Sequence, residues 1–246
     1  MPRDWGPRGF ETTTPPVNKA LLGALAFCLV TIVGVPWCHT HIGSYDLMTG
    51  NRSCPVAPAE IRVWTYTHHT RRAEEATNLQ KWIARHPGQI NKQYDAFCDT
   101  PLHLATRFGR EDLAALLIAA GADVEARNEL NHRPLHVAAT YGRPTVAKLL
   151  LARGADLNAR DRGGKTPLHS AALGLGGQSD IDARIDVARL LLAAGADVNA
   201  REPGSGFTAL RYASFYESRN AAMMALLLEH GADPRGAEER PPGRPR

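Results

Sequence analysis

Apolar side chains recur along this chain in a unit of 33 residues, and the residues that interrupt them recur as well. Three stretches carry the unit in register: TPLHLATRFGREDLAALLIAAGADVEAR from Thr100, RPLHVAATYGRPTVAKLLLARGADLNAR from Arg133, and TPLHSAALG from Thr166. Pro101, Pro134 and Pro167, each followed by Leu and Ala, predict a short helix with one apolar face, because proline in a first turn removes no needed backbone donor. Gly109 and Gly142 predict the end of that helix in the left-handed conformation. Paired leucines at 116 and 117, 149 and 150, 190 and 191, and 226 and 227 predict a second helix, closed by Gly121, Gly154, Gly195 and Gly231. The third copy resumes as DVARLLLAAGADVNAR after the insertion GLGGQSDIDARIDVA, which adds eight residues between Leu168 and Gly195 relative to the earlier copies. A looser fourth copy runs from Thr208 to Pro234, with Ala209 and Arg211 in place of proline and histidine. Upstream, ATNLQKWIARHPGQINKQYDAF, with Leu79, Trp82 and Ile83 at helical spacing, reads as the second half of a further unit whose first helix falls around residues 61 to 72.

These units resemble the ankyrin repeat: T-P-L-H-x-A, a helix-ending glycine, a Leu-Leu pair and a closing G-A-D-V-N-A. The resemblance covers roughly residues 60 to 234. It implies an all-α repeat solenoid of stacked helix-turn-helix units with projecting β-turn fingers, about five repeats over residues 59–234, the first and last acting as caps. No unit can bury its apolar face alone, so each requires neighbours and the end units must be more polar. The resemblance also implies that the Thr and His of TPLH, His103, His136 and His169 among them, tie turns and neighbouring repeats together by hydrogen bonds. Arg133 weakens that tie in the second copy. Function is then expected in a non-enzymatic protein-protein interaction module, binding through the concave face formed by finger tips and first helices.

Mapped onto that face, the candidate binding residues are Phe97, Asp99, Arg107 and Phe108 in the first copy, and Glu129, Leu130, His132, Thr140 and Tyr141 in the second. Arg162, Lys165 and Leu173 follow in the third, and Phe207, Phe215 and Tyr216 in the fourth. Aromatic and arginine side chains often dominate interface energy, although Phe108 and Phe215 have the alternative of packing on the next repeat. Arg127, Arg160 and Arg201 recur at one place in the unit, as a basic ladder or as solvated edge residues. The insertion is either a partner-specific feature or a tolerated loop.

The first 58 residues follow a different pattern. ALLGALAFCLVTIVGVPW, residues 20–37, carries no charge and predicts a transmembrane signal-anchor or a signal peptide, preceded by a polar leader over 1–19. Small residues at the positions a signal peptidase reads are missing near Pro36 to His39, which favours retention. Arg3, Arg8 and Lys19 precede the run and only Arg52 follows it closely, which predicts a single-pass protein with its body on the periplasmic or extracytoplasmic side. A secreted inhibitor or effector, released by cleavage, is the alternative. Residues 38–58 read as an irregular linker, and the charged, proline-rich residues 235–246 as a disordered tail.

Composition narrows the chemistry. A formal charge of +4 without a basic stripe argues against nucleic acid. No Ser/His/Asp or Cys/His grouping, phosphate loop or paired carboxylate stands outside the repeat, so no catalytic residue, cofactor or small-molecule substrate is expected. The four cysteines, at 28, 38, 54 and 98, lack the CxxC spacing of zinc or redox sites, and no metal site is expected. A metal or enzymatic role for Cys38, His39, His41 and Cys54 is the least favoured alternative. Cys28 lies in the apolar run and Cys98 begins a repeat, leaving Cys38 and Cys54 as the expected disulfide in an oxidising compartment.

Overall fold

The computed structural model describes residues 54–58, 61, 72–95, 97–173, 181–215 and 217–237. The apolar run at 20–37, Cys38, residues 174–180 of the insertion, Tyr216 and the tail from 238 lie outside the described residues. Among the described residues no helix is long and apolar enough to cross a membrane.

The chain forms helix α1 (Arg72–Arg85) and a 3-10 turn (Pro87–Gln89), followed by four pairs. These are α2 (Pro101–Arg107) with α3 (Glu111–Ala119), α4 (Pro134–Thr140) with α5 (Pro144–Ala152), α6 (Pro167–Leu173) with α7 (Ile181–Ala193), and α8 (Ala209–Ser214) with α9 (Glu217–Glu229). Two rows result: α2, α4, α6 and α8 pack side by side, and α1, α3, α5, α7 and α9 form the second row behind them. A second 3-10 turn, Pro234–Ala237, packs on α8 and carries helical structure past the boundary expected at 234.

Local sequence sets where each helix starts and stops. Thr100 caps α2 by accepting the His103 N–H, and Thr208 caps α8 by accepting the Arg211 N–H. Gly109 ends α2 at φ +66°, and the next amide, Arg110 N–H, then reaches back to the Ala105 carbonyl at 2.8 Å. That closure needs a residue tolerant of positive φ. A side chain at 109 would also stand 3.0 Å from the Arg143 side chain.

The core is continuous from Ala57 to Ala232. Leu102, Leu135, Leu168 and Leu210 fill it from the first row, and Leu117, Leu150, Leu191 and Leu227 from the second, all essentially inaccessible. Each such leucine contributes about 2 kcal/mol of burial. Ala105, Ala138, Ala171 and Ala213, fully buried, are small enough to let first-row helices approach one another.

Two expectations about the amino end are corrected. Cys54 is bonded to Cys98, with Cα atoms 5.5 Å apart, and so is not paired with Cys38. Residues 54–58 belong to the repeat body rather than to a linker. Asp95 N–H donates to the Pro55 carbonyl at 2.9 Å, Ala57 N–H donates to Asp95 Oδ1 at 3.1 Å, and Ala57 is buried. Setting Cys98 aside as part of a repeat pointed to Cys38, because the sequence carries no record of this fold-back onto the first finger.

Candidate functional site

Most polar residues that recur with the unit are joints between repeats. His103 Nδ1 accepts the Thr100 backbone N–H at 3.3 Å, which places the ring proton on Nε2, and Nε2 donates to the His132 carbonyl at 2.9 Å. His136 repeats this with Arg133 N–H and the Lys165 carbonyl, and His169 with Thr166 N–H and the Phe207 carbonyl. Each histidine thus binds the carbonyl just before the next repeat's cap. With both nitrogens engaged and the rings out of water, burial lowers the pKa of all three, that of His136 to about 4. They are neutral fasteners. Arg133 lacks the threonine hydroxyl, but its guanidinium lies 2.9 Å from Glu125 and 3.1 Å from Asp156, which replaces part of the lost tie with ion pairs.

A second joint uses the closing G-A-D-x-N. Asp123, Asp156, Asp197 and Asp233 N–H groups donate to Asn91 Oδ1, Glu125 Oε1, Asn158 Oδ1 and Asn199 Oδ1 of the preceding unit at 2.8 to 3.1 Å. Asn91 therefore shows that the residues around α1 form a true first unit.

A third joint is absent from the motif reading. Arg110, Arg143, Arg184 and Asn220 each stand eleven residues before a closing glycine, where the second-row helix begins. Arg143 Nε donates to the Arg107 carbonyl, Arg184 Nη1 to the Ala171 carbonyl and Asn220 Nδ2 to the Ala172 carbonyl, at 3.1, 3.0 and 3.5 Å. These meet carbonyls that the ends of short first-row helices leave without a helical partner. Arg110 pairs instead with Glu75 on α1, inside the protein, and with Asp112 at 2.8 Å. The common offset was the available signal.

Fingers join through their backbones: Glu129 N–H donates to the Phe97 carbonyl at 2.9 Å, and Arg162 N–H to the Leu130 carbonyl at 3.0 Å.

Helix pairs, fingers and threonine–histidine joints at this spacing agree with the family comparison. A family model described as ankyrin repeats (3 copies) matches residues 72–161 and 128–202, and one described as ankyrin repeats (many copies) matches residues 181–228. The chain belongs to the ankyrin-repeat family. A search of curated proteins finds no match. Ankyrin repeats are generally non-enzymatic and generally bind protein partners. Among the described residues no group of three or more His, Cys, Asp or Glu side chains is placed to hold a metal ion.

Within the ankyrin stack the candidate residues separate into exposed and structural. Phe97, Phe108, Leu130 and Phe215 are 42%, 37%, 40% and 45% exposed, high values for side chains of this kind. Glu129 and Arg162 are exposed on the fingers as well. Arg107 lies between two rings, 5.0 Å from the centre of Phe97 and 5.6 Å from that of Tyr141, joining finger, α2 and the end of α4 in one strip.

Other candidates are drawn inward. Thr140 is buried, and its hydroxyl donates to the His136 carbonyl at 2.9 Å, so it offers nothing to a partner. Leu173 packs on the core. Asp99 is buried, paired with Arg107 and accepting from Asn128 at 2.8 Å, and it positions Arg107. His132 is half-buried, 3.3 Å from Asp161 and stacked on His136. Burial works to raise the Asp161 carboxyl, but hydrogen bonds from His132 and the Lys165 amide outweigh it and hold the pKa at about 2. Lys165 lies 4.0 Å from Glu202. Arg127, Arg160 and Arg201 are exposed; the Arg160 guanidinium donates to the Gly164 and Arg201 carbonyls and that of Arg201 to the Gly206 carbonyl, while Arg127 donates to Asn131 Oδ1, so each braces its own finger.

The fourth copy adds a residue outside the candidate set. Arg211 stands where other copies carry the TPLH histidine, and its guanidinium lies 5.6 and 5.1 Å from the ring centres of Phe207 and Phe215. Tyr212 packs edge-on against both rings and gives its hydroxyl proton to Glu202.

Proposed function

We propose that this ankyrin domain binds a protein partner in the cell envelope, across finger tips and first-row helix ends on its concave face, while residues 20–37 tether it to a membrane. The observation that carries the binding reading is the exposure of Phe97, Phe108, Leu130 and Phe215, with Arg107 against Phe97 and Arg211 against Phe215, amid recurring side chains committed to joints. Aromatic and arginine side chains in such settings supply much of the energy of protein interfaces. The Cys54–Cys98 bond supports an extracytoplasmic location, since structural disulfides persist in oxidising compartments. The excess of basic residues before the apolar run supports the same orientation.

Crosslinking in the native membrane, followed by identification of the captured protein, tests the binding. Partner capture should fall when Phe97 and Phe215 are replaced together by serine, and undiminished capture would refute this face as the site. A carboxyl-terminal reporter active only in the cytoplasm tests the orientation and should stay silent. The mature amino terminus, read by mass spectrometry, separates the tethered form from a secreted inhibitor or effector, which would begin beyond the apolar run.

A further inference from the structure

The fingers are built on equivalent positions, yet the first is held differently. In the second, Asn128 Oδ1 accepts the Leu130 and His132 N–H groups, at 3.0 and 2.9 Å. In the third, Asp161 Oδ1 accepts the Gly163 and Lys165 N–H groups, both at 2.8 Å. The equivalent residue of the first finger is Asp95, and its Oδ1 accepts the Ala57 N–H of the amino-terminal strap instead. Asp95 also takes left-handed backbone, at φ +62°, which its counterparts Asn128 and Asp161 do not, whereas Cys98, at +52°, shares that conformation with Asn131 and Gly164 at the same place in the next two fingers. For a non-glycine residue that conformation is uncommon and depends on its surroundings.

Among the described residues the first finger is also held by the pairing of Tyr94 with Asp99, the Cys98 N–H bond to the Asp95 carbonyl, the Glu129 N–H bond to the Phe97 carbonyl, the Asp95 N–H bond to the Pro55 carbonyl and the Cys54–Cys98 bond, and the last two come from the amino-terminal residues 54–58. Both neighbours of Cys98 serve the exposed strip. Phe97 lies under the Arg107 guanidinium, and Asp99 pairs with that same guanidinium.

Building on the protein-binding reading, we propose that Cys54 and Cys98 form a redox clasp for the binding face. Closed, it pins residues 54–58 to the first finger and completes the amino-terminal end of the strip. Open, it frees the finger and weakens partner binding there. Closure is thiol–disulfide exchange with a disulfide oxidant of the compartment. One cysteine, as thiolate, attacks an oxidant sulfur, forming a mixed disulfide and releasing one oxidant thiolate. The second cysteine thiolate then attacks the protein sulfur of that mixed disulfide, forming the Cys54–Cys98 bond and expelling the other oxidant thiolate. The protein dithiol is oxidised by two electrons, its two protons go to solvent or to the oxidant thiolates, and the oxidant leaves as the dithiol.

The test uses the full chain. Peptide mapping without reduction should recover a Cys54–Cys98 crosslinked peptide, and a Cys38–Cys54 link or two unlinked thiols would overturn the clasp. Amide exchange should then be about tenfold faster at Tyr94, Asp95 and Asp99 in Cys98→Ser and Cys98→Ala than in the parent, the mark of a locally opened segment. Exchange at Gly163 and Lys165, held by Asp161 in the third finger, should not change, and this also reports that the variants remain folded. Cys38→Ser should match the parent. Equal exchange at Tyr94, Asp95 and Asp99 in parent and variants would overturn the proposal. So would equal partner capture by parent and Cys98→Ser, where about fivefold less is expected of the variant, the scale of a modest coupling between sites. Failure of every form to capture a protein would sink the binding reading, and the exchange data would still decide whether the bond holds the finger.

Discussion

At the amino end of the stack, Cys54 is bonded to Cys98 and Glu75 is paired with Arg110 inside the protein. At the carboxyl end, Asp233 N–H rests on Asn199 and the Arg235 guanidinium meets Asp233 at 2.9 Å in the open. The amino end is therefore closed by a covalent bond and a desolvated ion pair, the carboxyl end by exposed polar contacts that contribute little. The same contrast governs position 211. In inner repeats the TPLH histidine donates to the carbonyl before the next cap. The fourth copy is the last among the described residues to carry that cap. Arg211 occupies the position and turns to Phe207 and Phe215. At position 211 the joint histidine is thus replaced by an arginine that forms a second arginine–aromatic group, with Phe207 and Phe215.

Breaking the amino end should cost most. The bond spans 44 residues, and the chain-entropy model assigns about 4 kcal/mol to a loop of that length. Denaturant unfolding of Cys54→Ser and Cys98→Ser should show a loss of that order, concentrated in α1 and the first finger. No covalent counterpart to this loss is expected at the carboxyl end.

Acid attacks the joints between the ends. Burial lowers the folded-state pKa of His103, His136 and His169, so the unfolded chain binds more protons below about pH 6.5. Their contribution is intact above that pH and is lost as pH falls toward the folded-state value, about 4 for His136. For His136 alone the loss is about 3 kcal/mol by linkage. Unfolding midpoints measured from pH 7 to pH 4 should fall steadily, and His136→Gln should flatten the slope.

Glu75→Gln should cost about 2 kcal/mol, less than loss of a whole buried pair because Arg110 keeps Asp112. Thermal unfolding checks this, and an unchanged midpoint would mean the ion pair does not close the amino end. The smallest effect on stability, about 1 kcal/mol, is expected for Arg211→Ala, which removes the half-buried guanidinium from Phe207 and Phe215. Partner capture should still fall in that variant, which separates binding surface from joint at the carboxyl end.

The ankyrin units were legible because stacking imposes a repeat: a cap, a histidine and a closing glycine must recur wherever the same joint recurs. Thr166 and His169 were therefore readable as fasteners through the resemblance of TPLH to the ankyrin unit, and Phe97 and Leu130 as candidates for the binding face, while for Phe108 and Phe215 packing on the next repeat stood as an alternative. Thr140 was misplaced because its neighbour Tyr141 faces outward while its own hydroxyl turns back to the His136 carbonyl, a choice made by one helical step. Arg211 was passed over because a departure from the motif reads as decay until its neighbours Phe207 and Phe215 are seen around it.

By itself the sequence determined the unit, its period, where its first-row helices begin, where its second-row helices end and its apolar faces, because these depend on residues close together in the chain or repeated along it. Only the tertiary structure decided that Cys54 meets Cys98, that Asp95 serves the strap rather than its own finger, and that Arg107 joins Phe97 to Tyr141. Each of those outcomes depends on segments that do not share the repeat, or on side chains from different repeats converging in space. No local propensity encodes such a meeting.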